Sequence, residues 1–427
     1  MENKTWLYFT MRPFPRDVVQ CFRMWPFGSG ELPVSTDEKR IDEALSRSVA
    51  EILPSKEELK KVLMSGKRLR IYIGADATGP QLHLGHATNF LLMEKLRQLG
   101  HEIIILFGDF TARIGDPTDK DAARKQLTIE EINGNIREWK KQVEKIIPFS
   151  GPNAAQILRN SVWLSKLTFA ELIELSSAFT VQHMLERDMF ERRMKAGKPV
   201  YVHEFFYPLM QGYDSVAMDV DVEVGGTDQT FNMLAGRTLQ RKYHNKNKFV
   251  IATTLLENPV TGKKLMSKSE GGYIALDDTP EDMYGKTMAL PDEVLKQMFI
   301  DATTAPLAEI PAILELHPKE AKMRLAREIV TLYHGSAAAR TAEDDFTRAF
   351  TEGGAPNEVK EIVVANGTPL HEALASLGES KTELRRLVAA GAITVVGGGV
   401  FRDINAPVTS SATLKIGKHR FLKIRVE

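Results

Sequence analysis

The chain has 427 residues, of which 43% are hydrophobic and 26% are charged, a composition typical of folded globular proteins. Lysine plus arginine and aspartate plus glutamate each number 56, so overall charge does not predict a polyanionic partner. A single cysteine excludes an intrachain disulfide and a cysteine-based zinc site, and it favours a reducing, cytoplasmic location. No apolar run is long enough to cross a bilayer, so we expect no membrane association.

Residues 1–35 lack the basic start and the long apolar core of a secretory signal. Prolines interrupt any helical periodicity there, and Asp17 and Glu31 argue against an organelle transit peptide, because such peptides are poor in acidic residues. We expect an N-terminal extension of unknown role.

The next part of the chain has a strand–helix–strand pattern. Residues 36–66 have the charged 3.6-residue period of surface helices. Residues 69–76 predict a buried strand, 85–99 an amphipathic helix ended by Gly100, and 102–110 a second strand. This order predicts a parallel sheet and an α/β fold.

The rest of the chain divides into further segments. Helices are predicted over 128–147, 168–195, 228–241, 280–350 and 370–391, strands over 219–228, 249–254 and 414–426, and a hairpin over 392–403. We expect an α/β domain over 36–255, a lysine loop and helical region over 256–350, a linker over 351–366 and a small α+β domain over 367–427.

The loop 74-GADATGPQLHLGH-86 joins the first predicted strand of the sheet to its helix. Parallel sheets bind ligands at the carboxyl ends of their strands, and a helix N-terminus attracts phosphate. His83 and His86 could donate hydrogen bonds to triphosphate oxygens, and Gly85 leaves room for a base or a sugar. A turn capped by histidines is the alternative. A zinc site is disfavoured because there is no H-E-x-x-H motif and no cysteine partner for the pair.

A second loop, 263-KKLMSKSEGG-272, has three lysines and two serines before a glycine pair. A mobile cationic loop can stabilise the charge that develops on a leaving pyrophosphate. A solvated turn is the alternative for this loop taken alone.

Together these motifs resemble the HIGH and KMSKS signatures of the class I aminoacyl-tRNA synthetases. Three more stretches, 72-YIGAD-76, 207-YPLMQGYD-214 and 225-GGTDQ-229, are similar to those of the tyrosyl-tRNA synthetase family. The resemblance covers about residues 38–427. It implies a Rossmann catalytic domain with a dimerising insertion at about 110–200, a helical anticodon-recognition region and a C-terminal domain of the S4 type.

The resemblance also implies a two-step reaction. L-tyrosine and ATP, with Mg²⁺, would give tyrosyl-adenylate and pyrophosphate, and the tyrosyl group would pass to the terminal ribose of tRNA(Tyr). It implies a homodimer and no protein-bound metal. No side chain need act as a general base, because the substrate carboxylate attacks the α-phosphate itself.

The family's site residues map onto this sequence in three groups. Tyrosine contacts are expected from Tyr72 and Asp214 at the phenol, from Asp116, Tyr207 and Gln211 at the ammonium group, and from Gln229 at the carboxylate. ATP contacts are expected from Gly74, Asp76, Thr78, His83, Gly85, His86, Gly226, Asp228 and Lys268. The catalytic set is expected to be His83, His86, Lys268 and Lys264.

Two positions depart from the family pattern. Leu265 stands where the first lysine of the KMSKS signature is expected, and Lys264 could supply the displaced charge. Asn89 stands where some relatives have a hydroxyl residue near the ribose, which bears on nucleotide affinity.

The C-terminal segment is rich in basic residues. Candidates for phosphate contacts with RNA are Arg385, Arg386, Lys415, Lys418, His419, Arg420 and Lys423. A solvated charged face is the alternative, but 417-GKHRFLKI-424 resembles the closing strand of S4-type domains.

Three other functions remain open at this stage. A tryptophanyl-tRNA synthetase is disfavoured because Tyr72 and Asp214 suit a phenol. A catalytically inactive, synthetase-like RNA-binding protein is disfavoured by the presence of both histidines and Lys268. A small nucleotidyltransferase would share the H-x-G-H loop but would lack the distant lysine loop and the basic C-terminal segment.

Overall fold

The computed structural model describes residues 33–116, 127–266, 273–350, 361–377, 381–396, 398–417 and 420–427. The chain forms two compact units. The first contains the described residues up to 266 together with 275–277 and 300–307. The second contains the described residues of 273–274, 278–299 and 308–427.

A six-stranded sheet is the framework of the first unit. Its strands are β1 (Val49–Leu53), β2 (Arg70–Ala75), β3 (Glu102–Phe107), β4 (Gln156–Arg159), β5 (Val222–Gly226) and β6 (Phe249–Thr253). The lateral order is β1-β6-β5-β2-β3-β4. β1 is antiparallel to β6, and the other neighbours are parallel. The strand order therefore reverses between β2 and β5.

Helices connect these strands and cover the sheet. They are α1 (Glu38–Ala44), α2 (Lys56–Met64), α3 (Leu84–Gln98), α4 (Ile129–Glu144), α5 (Ser161–Leu164), α6 (Phe169–Ser176), α7 (Val181–Leu185), α8 (Asp188–Lys195), α9 (Phe206–Ala217) and α10 (Thr230–His244). Short 3₁₀ turns occur at Thr111–Arg113, Val202–Phe205 and Thr227–Gln229.

Side chains from the sheet and from these helices share one core. Ile104 and Leu106 of β3 pack with Trp163 of α5 and with Tyr213 and Val216 of α9. β3 has no exposed residue, because a central parallel strand is covered on both faces. This explains its uniformly apolar sequence, EIIILF.

The second unit begins with helices and ends with a small sheet. Its helices are α11 (Pro280–Met288), α12 (Leu295–Ala302, whose last residues belong to the first unit), α13 (Ile310–Leu314), α14 (Pro318–Phe350), α15 (Leu370–Ala373) and α16 (Lys381–Ala389). Its strands are β7 (Glu361–Val364), β8 (Thr368–Pro369), β9 (Ile393–Val395), β10 (Pro407–Val408), β11 (Ala412–Ile416) and β12 (Arg420–Val426), and its 3₁₀ turns are Asp292–Val294 and Leu374–Leu377.

β7, β12, β11 and β9 form a four-stranded sheet in that order, and β8 pairs with β10. Leu384, Ile393, Leu414 and Leu422 are among the buried residues that α16 and this sheet place in one apolar core. The C-terminal segment is thus an α+β domain, as its resemblance to S4-type domains predicts.

The observed topology is a doubly wound, Rossmann-type α/β fold, and it confirms the predicted fold class. The predicted hairpin is also confirmed, since Val395 and Phe401 donate backbone hydrogen bonds to Gly399 and Ile393 respectively. No helix within the described parts of the chain is long and apolar enough to span a membrane.

The sequence pattern does not predict β1 or β4. β1 lies in a stretch predicted to be helical, but only Ile52 is buried in it, so its apolar pattern is weak. Antiparallel pairing with β6 holds this strand at the edge of the sheet. β4 is a four-residue edge strand, parallel to β3. Both depend on a neighbour distant in sequence.

Two assignments near the C-terminus are wrong in part. Residues 361–364, predicted as linker, form β7, which is parallel to β12. The predicted strand over 414–426 is a hairpin of β11 and β12. Gly417, with φ of 68°, lies between the two strands, and a positive φ is a turn conformation that glycine adopts without strain.

Candidate active site

A cavity of about 480 Å³ lies in the first unit at the carboxyl ends of β2 and β5. This is the position at which open α/β sheets bind ligands, because the strand order reverses there. The predicted site residues that line it are Gly74, Asp76, Thr78, His83, Gly85, His86, Asp116, Tyr207, Gln211, Asp214, Gly226, Asp228, Gln229 and Lys264; Asn89 also lines it. Lys268 lies outside the described residues.

His83 and His86 cap the start of α3 reciprocally. The Gly85 N–H donates to Nδ1 of His83 (3.1 Å), and the His83 N–H donates to Nδ1 of His86 (3.2 Å). Because each Nδ1 accepts a hydrogen bond, a neutral ring carries its proton on Nε2. The H-x-G-H spacing therefore caps a helix and places two Nε2–H groups near its positive end.

The two rings have their centroids 3.9 Å apart. Burial lowers the pKa of His86 to about 3, and the neighbouring His83 contributes to the lowering. His86 is consequently neutral near pH 7. It can donate a hydrogen bond to a phosphate oxygen without adding a full charge to the cavity.

Asp76 joins two predicted subsites. Its carboxylate accepts from the Thr111 hydroxyl (2.6 Å) and from the Tyr207 hydroxyl (2.9 Å). A Cβ at Gly108 would lie 2.1 Å from Oδ1 of Asp76, so only glycine at that position leaves space for the carboxylate. The hydrogen bond from Tyr207 connects a residue expected at the tyrosine ammonium group with Asp76, which is expected at the nucleotide.

Asp214 is buried at one end of the cavity, with 3% of its surface exposed. The Trp163 indole donates to its Oδ1 (2.6 Å), and the Asn160 amide donates to its Oδ2 (3.3 Å). Burial raises the pKa of Asp214 well above its ordinary value, and these two donors oppose that rise by stabilising the carboxylate. Both donors are neutral groups, which suits a site for an uncharged hydroxyl.

Tyr72, the other residue expected at the phenol, lies in the core beside the cavity, and its phenol contact stays a prediction. Its ring is fully buried and does not line the cavity. Its hydroxyl lies 3.0 Å from Oγ of Ser215, in a buried group that also contains the ion pair of Lys248 and Glu223. The hydroxyl thus makes a hydrogen bond inside the core, and of the two residues expected at the phenol Asp214 is the one that lines the cavity.

The predicted ammonium cradle is only partly assembled. Asp116 accepts from the Gln229 amide (2.8 Å), and its other oxygen lies 3.5 Å from the Arg187 guanidinium. Gln211 lines the cavity but donates to the buried Glu223 (3.0 Å). Asp116 and Gln229 therefore contact each other directly. Tyr207 and Gln211 line the same cavity, but their hydrogen bonds are to Asp76 and Glu223.

The lysine loop enters the site through a small hairpin. Glu257 and Lys264 form an antiparallel bridge, and the Leu265 N–H donates to the Leu256 carbonyl (2.8 Å). Successive residues of an extended strand point to opposite faces. Lys264 accordingly lines the cavity, whereas Leu265 is buried with 8% exposure.

The predicted RNA contacts lie in the C-terminal domain. Arg385 and Arg386 are exposed on α16, Lys415 lies on β11, and Arg420 begins β12. Several of the basic groups have acidic partners: Arg386 pairs with Glu383, and Lys423 and Arg425 with Glu361. Lys418 and His419 lie outside the described residues.

Several lining or supporting residues escape sequence reasoning. They are Thr111, Trp139, Asn160, Trp163 and Arg187. The sequence 160-NSVW-163 directly follows β4, and polar side chains at the carboxyl end of a parallel strand are a usable signal. Arg187 has no such signal, because α7 and α8 bring it to Asp116 from a distant segment. Within the described residues, no group of three or more His, Cys, Asp or Glu side chains could hold a metal ion.

Comparisons with known proteins agree with this geometry. The sequence model of a family described as tRNA synthetases class I (W and Y) matches residues 64–351. A tyrosine--tRNA ligase of Moorella thermoacetica is 44% identical over 393 residues, which cover 89% of this chain and 94% of that protein. A tyrosine--tRNA ligase of Carboxydothermus hydrogenoformans is 43% identical over 409 residues, 91% of this chain and 98% of that protein.

A solved structure with a similar fold is the C-terminally truncated mitochondrial tyrosyl-tRNA synthetase of Coccidioides posadasii. Its TM-score is 0.58 at 25% identity, over 72% of this chain and 91% of that one. The truncated mitochondrial tyrosyl-tRNA synthetase of Aspergillus nidulans has a TM-score of 0.60 at 23% identity, over 78% and 99% of the respective chains, a likeness of fold alone.

Proposed function

The chain belongs to the class I tyrosyl-tRNA synthetases, and we propose that its cavity binds L-tyrosine with the phenol at Asp214 and ATP along the histidine loop. The enzyme is a tyrosine--tRNA ligase. It uses ATP to activate tyrosine and then attaches the amino acid to tRNA. The observation that carries the residue assignment is the buried carboxylate of Asp214, held by two neutral donors at the end of the cavity.

Asp214 selects tyrosine through a single buried hydrogen bond. The phenol hydroxyl donates to the Asp214 carboxylate, whose orientation Trp163 and Asn160 hold. Phenylalanine would fill the same space but leave this buried group without the hydroxyl. That mismatch costs far more than a missing methylene.

The α-ammonium group of tyrosine lies at Asp116, and its carboxylate lies near Gln229. Asp116 provides the negative charge, and the Gln229 amide fixes its direction through a hydrogen bond of 2.8 Å. The Arg187 guanidinium lies 3.5 Å from the other oxygen of Asp116. Tyr207 and Gln211 complete the wall around the substrate backbone.

ATP binds as its Mg²⁺ complex, with the triphosphate against the start of α3. The Nε2–H groups of His83 and His86 donate to phosphate oxygens, and the positive end of the helix favours the same charge. Asp76, Asp228 and the glycines at 74 and 226 line the adenosine side. No protein-bound metal is needed for this arrangement.

Catalysis is then a matter of position and electrostatics. The tyrosine carboxylate attacks the α-phosphorus, and pyrophosphate leaves with its charge stabilised by the two histidines and by lysines 264 and 268. Lys264 supplies the charge that Leu265 lacks, because it lines the cavity where Leu265 is buried. No general base is required.

The C-terminal domain binds tRNA(Tyr) through its basic side chains, and α11–α14 contribute to anticodon recognition. Arg385, Lys415 and Arg420 provide phosphate contacts. The S4-like sheet supports this assignment, because the exposed face of β11 and β12 presents Lys415, Lys423 and Arg425 at alternating positions.

The enzyme acts as a cytoplasmic homodimer. Of the large apolar side chains exposed in the described residues, more than half lie between 162 and 202: Val162, Phe169, Ile173, Val181, Met194, Tyr201 and Val202. Exposed apolar side chains of this kind are common at protein interfaces, and they support the proposed dimer contact in this segment. Light scattering with gel filtration should give twice the chain mass; a monomer at micromolar concentration would contradict the dimer.

The decisive experiment for the function is amino-acid-dependent exchange of pyrophosphate into ATP, followed by charging of tRNA(Tyr). Tyrosine should support both steps, and phenylalanine and tryptophan neither. Exchange with tryptophan would identify a tryptophan enzyme. Tight tRNA binding without exchange would leave an RNA-binding protein that lacks catalysis.

A further inference from the structure

We propose that one face of α4 positions the histidine loop, and that its residues Asn135, Trp139 and Gln142 set the affinity for ATP without touching the amino acid. The inference rests on the proposed function. It adds a group of positioning residues to a reaction whose direct contacts lie elsewhere.

The loop between β2 and α3 receives hydrogen bonds from side chains of α4. Residues 76–82 join a strand to a helix, and three side chains of α4 bind their main-chain groups. Asn135 donates to the Ala77 carbonyl (2.8 Å), and the Trp139 indole donates to the Gly79 carbonyl (2.6 Å). Buried backbone groups need such partners.

Gln142 holds the loop with both ends of its amide. Its Oε1 accepts from the Leu82 N–H (2.8 Å), and its Nε2 donates to the Pro80 carbonyl (2.9 Å). Gln142 is 3% exposed. The amide oxygen and nitrogen of this buried side chain thus both make hydrogen bonds to one loop. Such a pair of bonds fixes the loop in position.

These residues are one stripe of the helix, since their spacings of four and three place them on the same face. Trp139 also lines the cavity, and its ring lies 5.9 Å from that of His86. Leu82 directly precedes His83, the N-cap of α3. The stripe therefore sets the place and direction of the two imidazoles.

The C-terminal end of α4 also contacts the segment that follows the lysine loop. Lys145, the residue after α4, donates to the Leu276 carbonyl (2.7 Å). Leu276 in turn donates its N–H to the Leu82 carbonyl (3.0 Å), and Ala275 forms a bridge with His83. One element thus joins the histidine loop to the segment that follows the lysine signature.

The test is pyrophosphate exchange with ATP and tyrosine varied separately, on Gln142→Met and Trp139→Phe. Methionine keeps the length of Gln142 without its hydrogen bonds, and phenylalanine keeps an aromatic ring without the indole N–H. We expect the KM for ATP to rise about tenfold in Trp139→Phe, which loses one buried hydrogen bond, and by at least about tenfold in Gln142→Met, which loses two. The KM for tyrosine should stay within twofold. Lys145→Met should lower kcat about fivefold, whereas Lys141→Met, its exposed match on the same helix, should change nothing.

A double-mutant cycle separates positioning from general loss of structure. In a His83→Ala, His86→Ala background, Gln142→Met should have less than a twofold further effect, because the groups it positions are gone. Parallel rises of both KM values, or full additivity in the cycle, would overturn the inference. If Gln142→Met does not fold, judged by circular dichroism, Trp139→Phe and Asn135→Leu carry the same test. If the wild type shows no tyrosine-dependent exchange, the proposed function itself is overturned. If the wild type is active and the α4 variants behave like Lys141→Met, only the positioning role of α4 is overturned.

Discussion

The Trp163 indole Nε1 lies 2.6 Å from Oδ1 of Asp214, inside a core where both side chains are almost fully buried. This contact gives the carboxylate one direction before any ligand arrives. It connects α5, which follows an edge strand of the sheet, with α9. If Asp214 binds the phenol as proposed, substrate selection depends on a side chain, Trp163, that need not touch the substrate.

Trp163→Phe should weaken tyrosine binding specifically. Removing a donor to a buried carboxylate costs about 1.5–3 kcal/mol, so the KM for tyrosine should rise about 10- to 100-fold while the KM for ATP remains unchanged. Pyrophosphate exchange measures both constants. Met64→Ala is the control, because Met64 is 36% exposed and does not line the cavity; an equal effect in both variants would argue against the contact.

Lys264 and Lys263 offer a matched pair for the displaced signature charge. Lys264→Met should lower kcat for adenylate formation about 10²-fold, as loss of a group that stabilises transition-state charge does. Lys263→Met should stay within twofold, because Lys263 is exposed on the hairpin and does not line the cavity. Single-turnover kinetics measure the step. Equal losses in the two variants would remove the special role of Lys264.

Leu265→Lys extends the same argument. Combined with Lys264→Met, this substitution restores the first lysine of the family's signature in the sequence. It does not place that charge in the cavity, since position 265 is buried. We expect no recovery of kcat and a lower unfolding temperature, because a lysine would be buried without a partner. Recovery of more than tenfold would show that this part of the hairpin can turn over to face the cavity.

Asp116 can be tested with substrate fragments. Asp116→Asn should weaken inhibition by tyramine, which carries the ammonium group, about 10- to 100-fold. Inhibition by 3-(4-hydroxyphenyl)propionate, which lacks that group, should change less than threefold. Competition against tyrosine in the exchange assay yields both inhibition constants. Equal weakening of the two inhibitors would place the ammonium group elsewhere.

His86 should remain neutral well below pH 6.5. Its pKa is about 3 in the folded chain, because burial disfavours the charged ring, and about 6.5 when unfolded. Its contribution to stability is therefore complete above pH 6.5 and is lost as the pH falls towards 3, by up to about 1.4 kcal/mol per pH unit. Imidazole NMR signals of His86 should not titrate between pH 5 and 8. The unfolding free energy of His86→Asn should depend less on pH than that of the wild type; a ring that titrates near 6.5 would contradict this.

Local chemistry predicts the histidine loop well. A glycine-containing turn between an apolar strand and an amphipathic helix already specifies a helix N-terminus, and the reciprocal cap of His83 and His86 is satisfied within four residues. The four parallel strands other than β4 follow from similar local signals. β1, β4 and β7 do not, because each is short and depends on a partner strand far away in sequence.

Side-chain direction is harder to predict than position. Tyr72 is in the expected strand, and its hydroxyl lies beside Ser215 in the core. Nothing in the strand pattern distinguishes a hydroxyl that contacts the core from one that points into the cavity. The approach of Arg187 to Asp116 depends on how α7 and α8 fold back. The direction of Lys264 is easier to predict than that of Tyr72 or Arg187. Strand alternation and the burial of Leu265 together identify the face that each residue occupies.

The most direct test of the account is the ratio of kcat/KM for tyrosine to that for phenylalanine, in pyrophosphate exchange, for the wild type and for Asp214→Ala. Tyrosyl-tRNA synthetases as a class discriminate by roughly 10⁵-fold, a value known for the family and not obtained from this structure. We predict strong preference for tyrosine in the wild type and a ratio near unity in the variant, through loss of activity with tyrosine. An unchanged ratio in a folded Asp214→Ala protein would contradict the assignment of Asp214 to the phenol and, with it, the orientation of the substrate in the cavity.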